Sequence, residues 1–186
     1  PVREALRRLS AEGYVVFQPN RGAEIVAWSR ADIEEIYELR AQFESFAASR
    51  AAVRSLDVAH LKQLAAEMER WILAPDGSRL PHEDVTTERW KEIAALNSDF
   101  HRTIVRAAGG ERLLSMIRAL VQAPLMLQTY KHYSIEGIAR SFGHHRELID
   151  AFEAKDPAWA GSVMRAHVFH AKSVLLTVWE TTSPDD

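Results

Sequence analysis

From Ser29 to about Thr181 apolar residues recur at three- and four-residue intervals with no alternating stretch, and this periodicity confines most of the chain to an all-α fold. The punctuation divides it into six helices. Ser29 with Asp32 has the capping-box pattern and starts a helix running to about Val53; Asp57 starts a second, through about Leu73. The stretch "APDGSRLPHEDVTT" then reads as a polar loop, the longest in the chain. A third helix spans about Thr87 to Ala108 and ends at Gly109-Gly110. A fourth spans Glu111 to about Tyr133, with Pro124 expected to kink it, and a fifth spans about Ser134 to Ala154. The sixth has Asp156 as N-cap and Pro157 at its first position, and it runs to about Thr181. No internal repeat is visible, so residues 29–182 are expected to form an antiparallel six-helix bundle.

Residues 1–28 have another texture. Val2, Ala5, Leu6 and Leu9 recur at helical spacing and Gly13 supplies a stop; "YVVFQ" and "AEIVA" then flank "PNRG", a turn with Arg21 at its tip. A helix followed by a basic-tipped hairpin is the second half of a winged helix-turn-helix: recognition helix plus wing. The expected division is therefore a partial DNA-binding domain at 1–28 and a helical domain at 29–182.

Composition narrows the chemistry. The chain has 186 residues and no cysteine, so disulfides and thiolate metal sites are excluded, and any metal must be held by His, carboxylate or amide groups. No apolar run approaches the roughly 18 residues of a membrane span, and no signal-like segment opens the chain, so a cytoplasmic setting without membrane is expected. The net charge of −3 argues against a protein that coats nucleic acid over its whole surface.

Histidine placement carries the most chemistry. Eight are present, at 60, 82, 101, 132, 144, 145, 167 and 170. On the third helix, residues four apart share a face whereas residues two apart point roughly 200° away, so Asn97 faces with His101 and Asp99 does not. On the fifth, Ile138, Phe142, His145, Ile149 and Phe152 follow one stripe, which turns His145 inward and leaves His144 off it. On the sixth, His167 and His170 both lie near the stripe of Val163, Val174 and Val178, and spacing does not separate them. Three helices can thus bring imidazoles to one point, as metal sites in bundles do; the bland alternative is one hydrogen-bonded core histidine on each helix.

The opening "PVREALRRLSAEGYVVFQPNRGAEIV" resembles the recognition helix and wing of GntR-family transcription regulators. The segments "IYELRAQFESFAASRAA", "NSDFHRTIVRAAGG" and "HHRELIDAFEAKDPAWAGSVMRAHV" resemble the FCD ligand-binding domain of the FadR subfamily, and six bundle helices are closer to its VanR-type branch. The resemblance implies a divalent metal held by a D-x-x-x-H pair and two later histidines. Here these positions fall on Asn97, His101, His145 and His167, with the family's carboxylate replaced by an amide. Zinc, nickel, manganese and iron all suit such ligands. An amide brings no charge, so the site is expected to bind metal less tightly and to keep about two positive charges, attracting a small carboxylate effector. The resemblance also marks Arg40 as effector-facing; its local alternative is an ion pair with Glu44 or Glu38 on the same helix.

Carried over in the same way, Arg3 would reach guanine in the major groove, Arg7 and Arg8 would touch phosphates, and Arg21 at the wing tip would approach the backbone or minor groove. Without the hairpin, these arginines would read as a solvated basic face. Up to Trp28 there are four basic residues (Arg3, Arg7, Arg8, Arg21) against three acidic ones (Glu4, Glu12, Glu24), few for a complete DNA-binding domain. The chain opens at the third helix of a winged helix without an initiator Met, so it reads as part of a longer protein. Operator DNA is expected to bind only where the winged helix is complete.

The expectation is a metabolite-responsive repressor, homodimeric because palindromic operators demand two-fold symmetry. Two rivals stand beside it. A metal-dependent hydrolase would use the three histidines and an open coordination position, but no carboxylate for a general base is identified on their face. A metal-free helical interaction module would leave the histidines purely structural.

Overall fold

The Ser29 hydroxyl accepts from the Asp32 backbone N–H at 3.1 Å while Asp32 Oδ2 accepts from Ser29 N–H at 2.8 Å, a reciprocal cap that starts the bundle where the sequence places it. The computed structural model describes residues 1–11, 15–18, 22–25, 29–120 and 132–182. Among these, α1 (Val2–Ala11) is followed by β1 (Val15–Gln18) and β2 (Gly22–Ile25), and then by α2 (Arg30–Ala52) and α3 (Val58–Arg70). After a 3₁₀ turn at His82–Asp84 come α4 (Thr87–Ala108), α5 (Glu111–Leu120), α6 (Ile135–Glu153) and α7 (Pro157–Thr182). The two strands pair antiparallel from Val15 opposite Ile25 to Gln18 opposite Gly22, and α1 buries none of its residues.

Side-chain caps explain most of the boundaries. Asp57 accepts from His60 N–H at 2.9 Å at the head of α3, and Ser134 accepts from Gly137 N–H at 3.0 Å at the head of α6. Asp156 Oδ1 accepts from the N–H groups of Ala158 and Trp159 at 2.9 Å each, so the expected N-cap with Pro157 behind it starts α7. Gly109 takes φ +70° and ends α4, a conformation that only glycine adopts without strain. The second bundle helix is shorter than the sequence suggests. It stops at Arg70 because the chain folds back: Leu80 N–H donates to Ile72 O at 2.9 Å, and Leu73 bridges Arg79. The kink expected at Pro124 lies outside the described residues.

The helix α2 lies against α4, α5 and α7, and α3 lies against α4 and α6. Its inner face is lined with small residues, Ala41, Ala48, Ala51 and Ala52, which let α7 approach closely at Gly161. Ile33, Tyr37, Phe100, Ile104, Ile138, Leu148 and Met164 fill the space between the helices and are fully buried. Among the described residues, six buried polar residues are set within this apolar core: Arg40, Glu44, Asn97, Ser141, His145 and His167. No described helix is long and apolar enough to cross a membrane.

Candidate metal and effector site

Asn97 and His101 stand one turn apart on α4 and both face inward; Asn97 is buried, and the His101 side chain is 12% exposed. Asp99 is half-exposed and pairs with Arg102 on its own helix at 2.5 Å, so it has no part in the interior. The helix α6 contributes His145 and α7 contributes His167, both buried. One ring nitrogen from each of His101, His145 and His167 lies within 4.8 Å of the others. His101 Nε2 and His167 Nε2 are 3.1 Å apart, and the His145 ring sits 4.7 Å from that of His167, backed by Phe100 at 4.4 Å. Of the two histidines on α7, His167 joins the cluster, whereas His170 donates from Nε2 to the carbonyl of Gly137 at 2.9 Å. His144 lies beside them, with its ring edge-on to those of His167 and His170.

A carboxylate that the sequence offers only as a local partner of Arg40 completes the arrangement. Glu44 on α2 accepts from His101 Nδ1 at 2.6 Å through Oε2 and from Arg40 Nε at 2.8 Å through Oε1. Burial alone would raise the Glu44 carboxyl, but the charges and hydrogen bonds of Arg40 and His101 outweigh it and hold it down at about 2. An ionised carboxylate only accepts, so Nδ1 of His101 carries a proton and donates it to Glu44. Burial, and then the neighbouring imidazoles, hold His145 and His167 well below the ordinary value of 6.5, so both rings are neutral.

The donor set fits a divalent ion. Asn97 Oδ1, both ring nitrogens of His145 and His167 Nδ1 are buried without a hydrogen-bond partner. Such orphaned groups each cost about 1–3 kcal/mol unless something binds them. Three imidazole ligands with an amide oxygen suit zinc, nickel, manganese or iron.

A cavity of about 310 Å³ opens beside this cluster between α2, α4 and α5. Arg40, Glu44 and His101 form its polar floor, with Val105 and Ile117 on its walls and Arg106 and Arg118 among its lining residues. Arg40 is ion-paired to Glu44, and it also borders a space large enough for a small ligand. At the other end of the chain Arg3, Arg7 and Arg8 are exposed on α1; Arg21 lies outside the described residues.

A signal for Glu44 was present: Ile33, Tyr37, Arg40, Ala41, Glu44 and Ala48 follow one helical stripe, which places the ion pair on the inner face of α2. Arg106 and Arg118 carried none, because which exposed arginines share a cavity depends on how α4 meets α5.

A helical bundle preceded by a helix and a two-stranded hairpin is the architecture of a GntR/FadR-type transcription regulator. The FCD domain model matches residues 35–170, and the chain belongs to the FCD-domain family. It is 28% identical over 177 residues to the HTH-type transcriptional repressor GlaR of Escherichia coli, covering 90% of this chain and 75% of that protein. It is 29% identical over 120 residues to the Nta operon transcriptional regulator of Aminobacter aminovorans, covering 64% of this chain and 51% of that one. The solved structure of E. coli McbR/YncC superposes with a TM-score of 0.74 at 20% identity, over 96% of this chain and 80% of the other. These relatives are named as regulators rather than as enzymes.

Proposed function

We propose that the chain is the sensing part, with a piece of the DNA-binding part, of a homodimeric, metabolite-responsive repressor. Residues 29–182 hold a divalent metal through Asn97, His101, His145 and His167 and bind a small organic acid beside it. Residues 1–28 carry the recognition helix and wing, with Arg3, Arg7, Arg8 and Arg21 directed to operator DNA. The observation that carries this reading is the convergence of three imidazole nitrogens within 4.8 Å, next to an amide oxygen left without a partner. A metal-free interaction module would leave those buried groups uncompensated.

The bound ion supplies positive charge and coordination positions for an anionic ligand. This chain's own residues do the rest. Glu44 orients His101, and Arg40, on the cavity floor, offers guanidinium N–H groups to the acid. The cavity lies between α2, α4 and α5, so a ligand that binds one packing of these helices better than another shifts their equilibrium. By linkage, whatever then changes the disposition of two winged helices changes operator affinity reciprocally.

Calorimetric titration of the metal-loaded chain with small carboxylates tests this. Binding is expected, is lost after chelation, and weakens about tenfold or more in Arg40→Gln. Carboxylate binding unchanged by chelation would contradict the reading.

A further inference from the structure

Resting on that reading, the structure sharpens the class of ligand. The arginines that line the cavity divide into two sets. Arg40 is neutralised by Glu44, and Arg102 is neutralised by Asp99. Arg106 on α4 and Arg118 on α5 line the same cavity, are exposed at its rim, and form no ion pair among the described residues. Between this rim and the floor of Arg40, Glu44 and His101 the walls are apolar, with Val105 and Ile117 buried. The rim is therefore cationic and the middle apolar, and a divalent ion held by the proposed site would make the floor cationic as well.

We propose that the effector carries two anionic groups: one held at the floor by Arg40 and the metal-side cluster, the other at the rim by Arg106 and Arg118. His101 and Arg106 are five residues apart on α4, a rise of about 7.5 Å, which sets the scale of the separation between the groups. At about 310 Å³ the cavity lies at the lower end of ligand pockets, so the molecule is compact. A short dicarboxylate and a short phosphorylated acid share this chemistry. A monocarboxylate of the same length leaves the rim charges unmatched. The common alternative for two exposed arginines is a solvated basic surface; it predicts no discrimination between these ligands.

The experiment is calorimetric titration of the metal-loaded 186-residue chain with three probes: succinate, its monoamide succinamate, and 3-phosphoglycerate. The double variant Arg106→Gln/Arg118→Gln is titrated in parallel; both side chains are exposed, so the fold is expected to survive. Wild type is expected to bind succinate or 3-phosphoglycerate about tenfold or more tighter than succinamate, the worth of one charge-assisted contact. Whichever of the two binds tighter identifies the second group as carboxylate or phosphate. The double variant is expected to lose this preference. Equal binding of all three by wild type, or a preference that persists in the double variant, overturns the two-anion proposal and leaves the metal-and-acid reading standing. Binding of none of them overturns both.

Discussion

Glu44 Oε2 accepts from His101 Nδ1 at 2.6 Å, and through its other oxygen the same buried carboxylate holds Arg40 at 2.8 Å. One side chain of α2 thus joins the arginine on the cavity floor to an imidazole of the cluster. On α4 the group one turn before His101 is the amide of Asn97, and the only buried carboxylate among the described residues stands behind a histidine instead.

Glu44→Gln is expected to weaken divalent-metal binding by about 10–100-fold, because an amide no longer fixes the His101 tautomer as strongly. It also leaves Arg40 buried without its counter-charge, at a cost of about 3 kcal/mol or more in the metal-free protein. Competition titration with a chromophoric chelator reads the first effect and urea unfolding the second. Wild-type metal affinity in a folded variant would refute the role assigned to Glu44.

Asn97→Asp restores a charged oxygen one turn from His101. Metal affinity is expected to rise by about tenfold, and carboxylate binding to weaken, because the site's net positive charge falls by one. Paired metal and acid titrations check both signs; tighter binding of both ligands would contradict the charge argument.

Stability of the metal-free protein is expected to fall in two stages on acidification. His145 and His167 are held neutral in the fold, below their ordinary value of 6.5, so below that pH the unfolded chain binds protons that the native one refuses. Each group then removes up to about 1.4 kcal/mol per pH unit. Glu44 is held at about 2 against an ordinary 4.5, so its contribution is present above 4.5 and is lost between 4.5 and 2. Urea midpoints measured from pH 8 to pH 3 follow this course; a flat profile between pH 7 and pH 5 would count against neutral buried imidazoles.

Gly161→Ala tests the close approach of α2 and α7. A Cβ at this position would collide with Ser49 Oγ and lie 3.4 Å from the Ser45 carbonyl. Overpacking is expected to outweigh alanine's better helix propensity, with a net loss of about 1–2 kcal/mol in thermal or chemical unfolding.

The bundle was legible because its helices are signalled locally. Ser29, Asp57, Ser134 and Asp156 cap them, Gly109 ends α4, and apolar stripes orient Asn97, His101 and His145. Spacing left His167 and His170 undecided, since both lie near one face of α7. What separates them is tertiary: the Gly137 carbonyl on α6 takes the His170 ring. The link from Glu44 to His101 was not legible for a related reason: the helical stripe puts Glu44 on the inner face of α2, but which imidazole it meets depends on how α2 packs on α4.

Anomalous diffraction at the absorption edges of zinc, nickel, iron and manganese, from crystals of the chain purified without chelator, tests the central claim most directly. One peak is expected within bonding distance of Asn97 Oδ1 and a ring nitrogen of each of His101, His145 and His167. No peak at any edge, even after soaking with these ions and with the imidazoles turned apart, would contradict it.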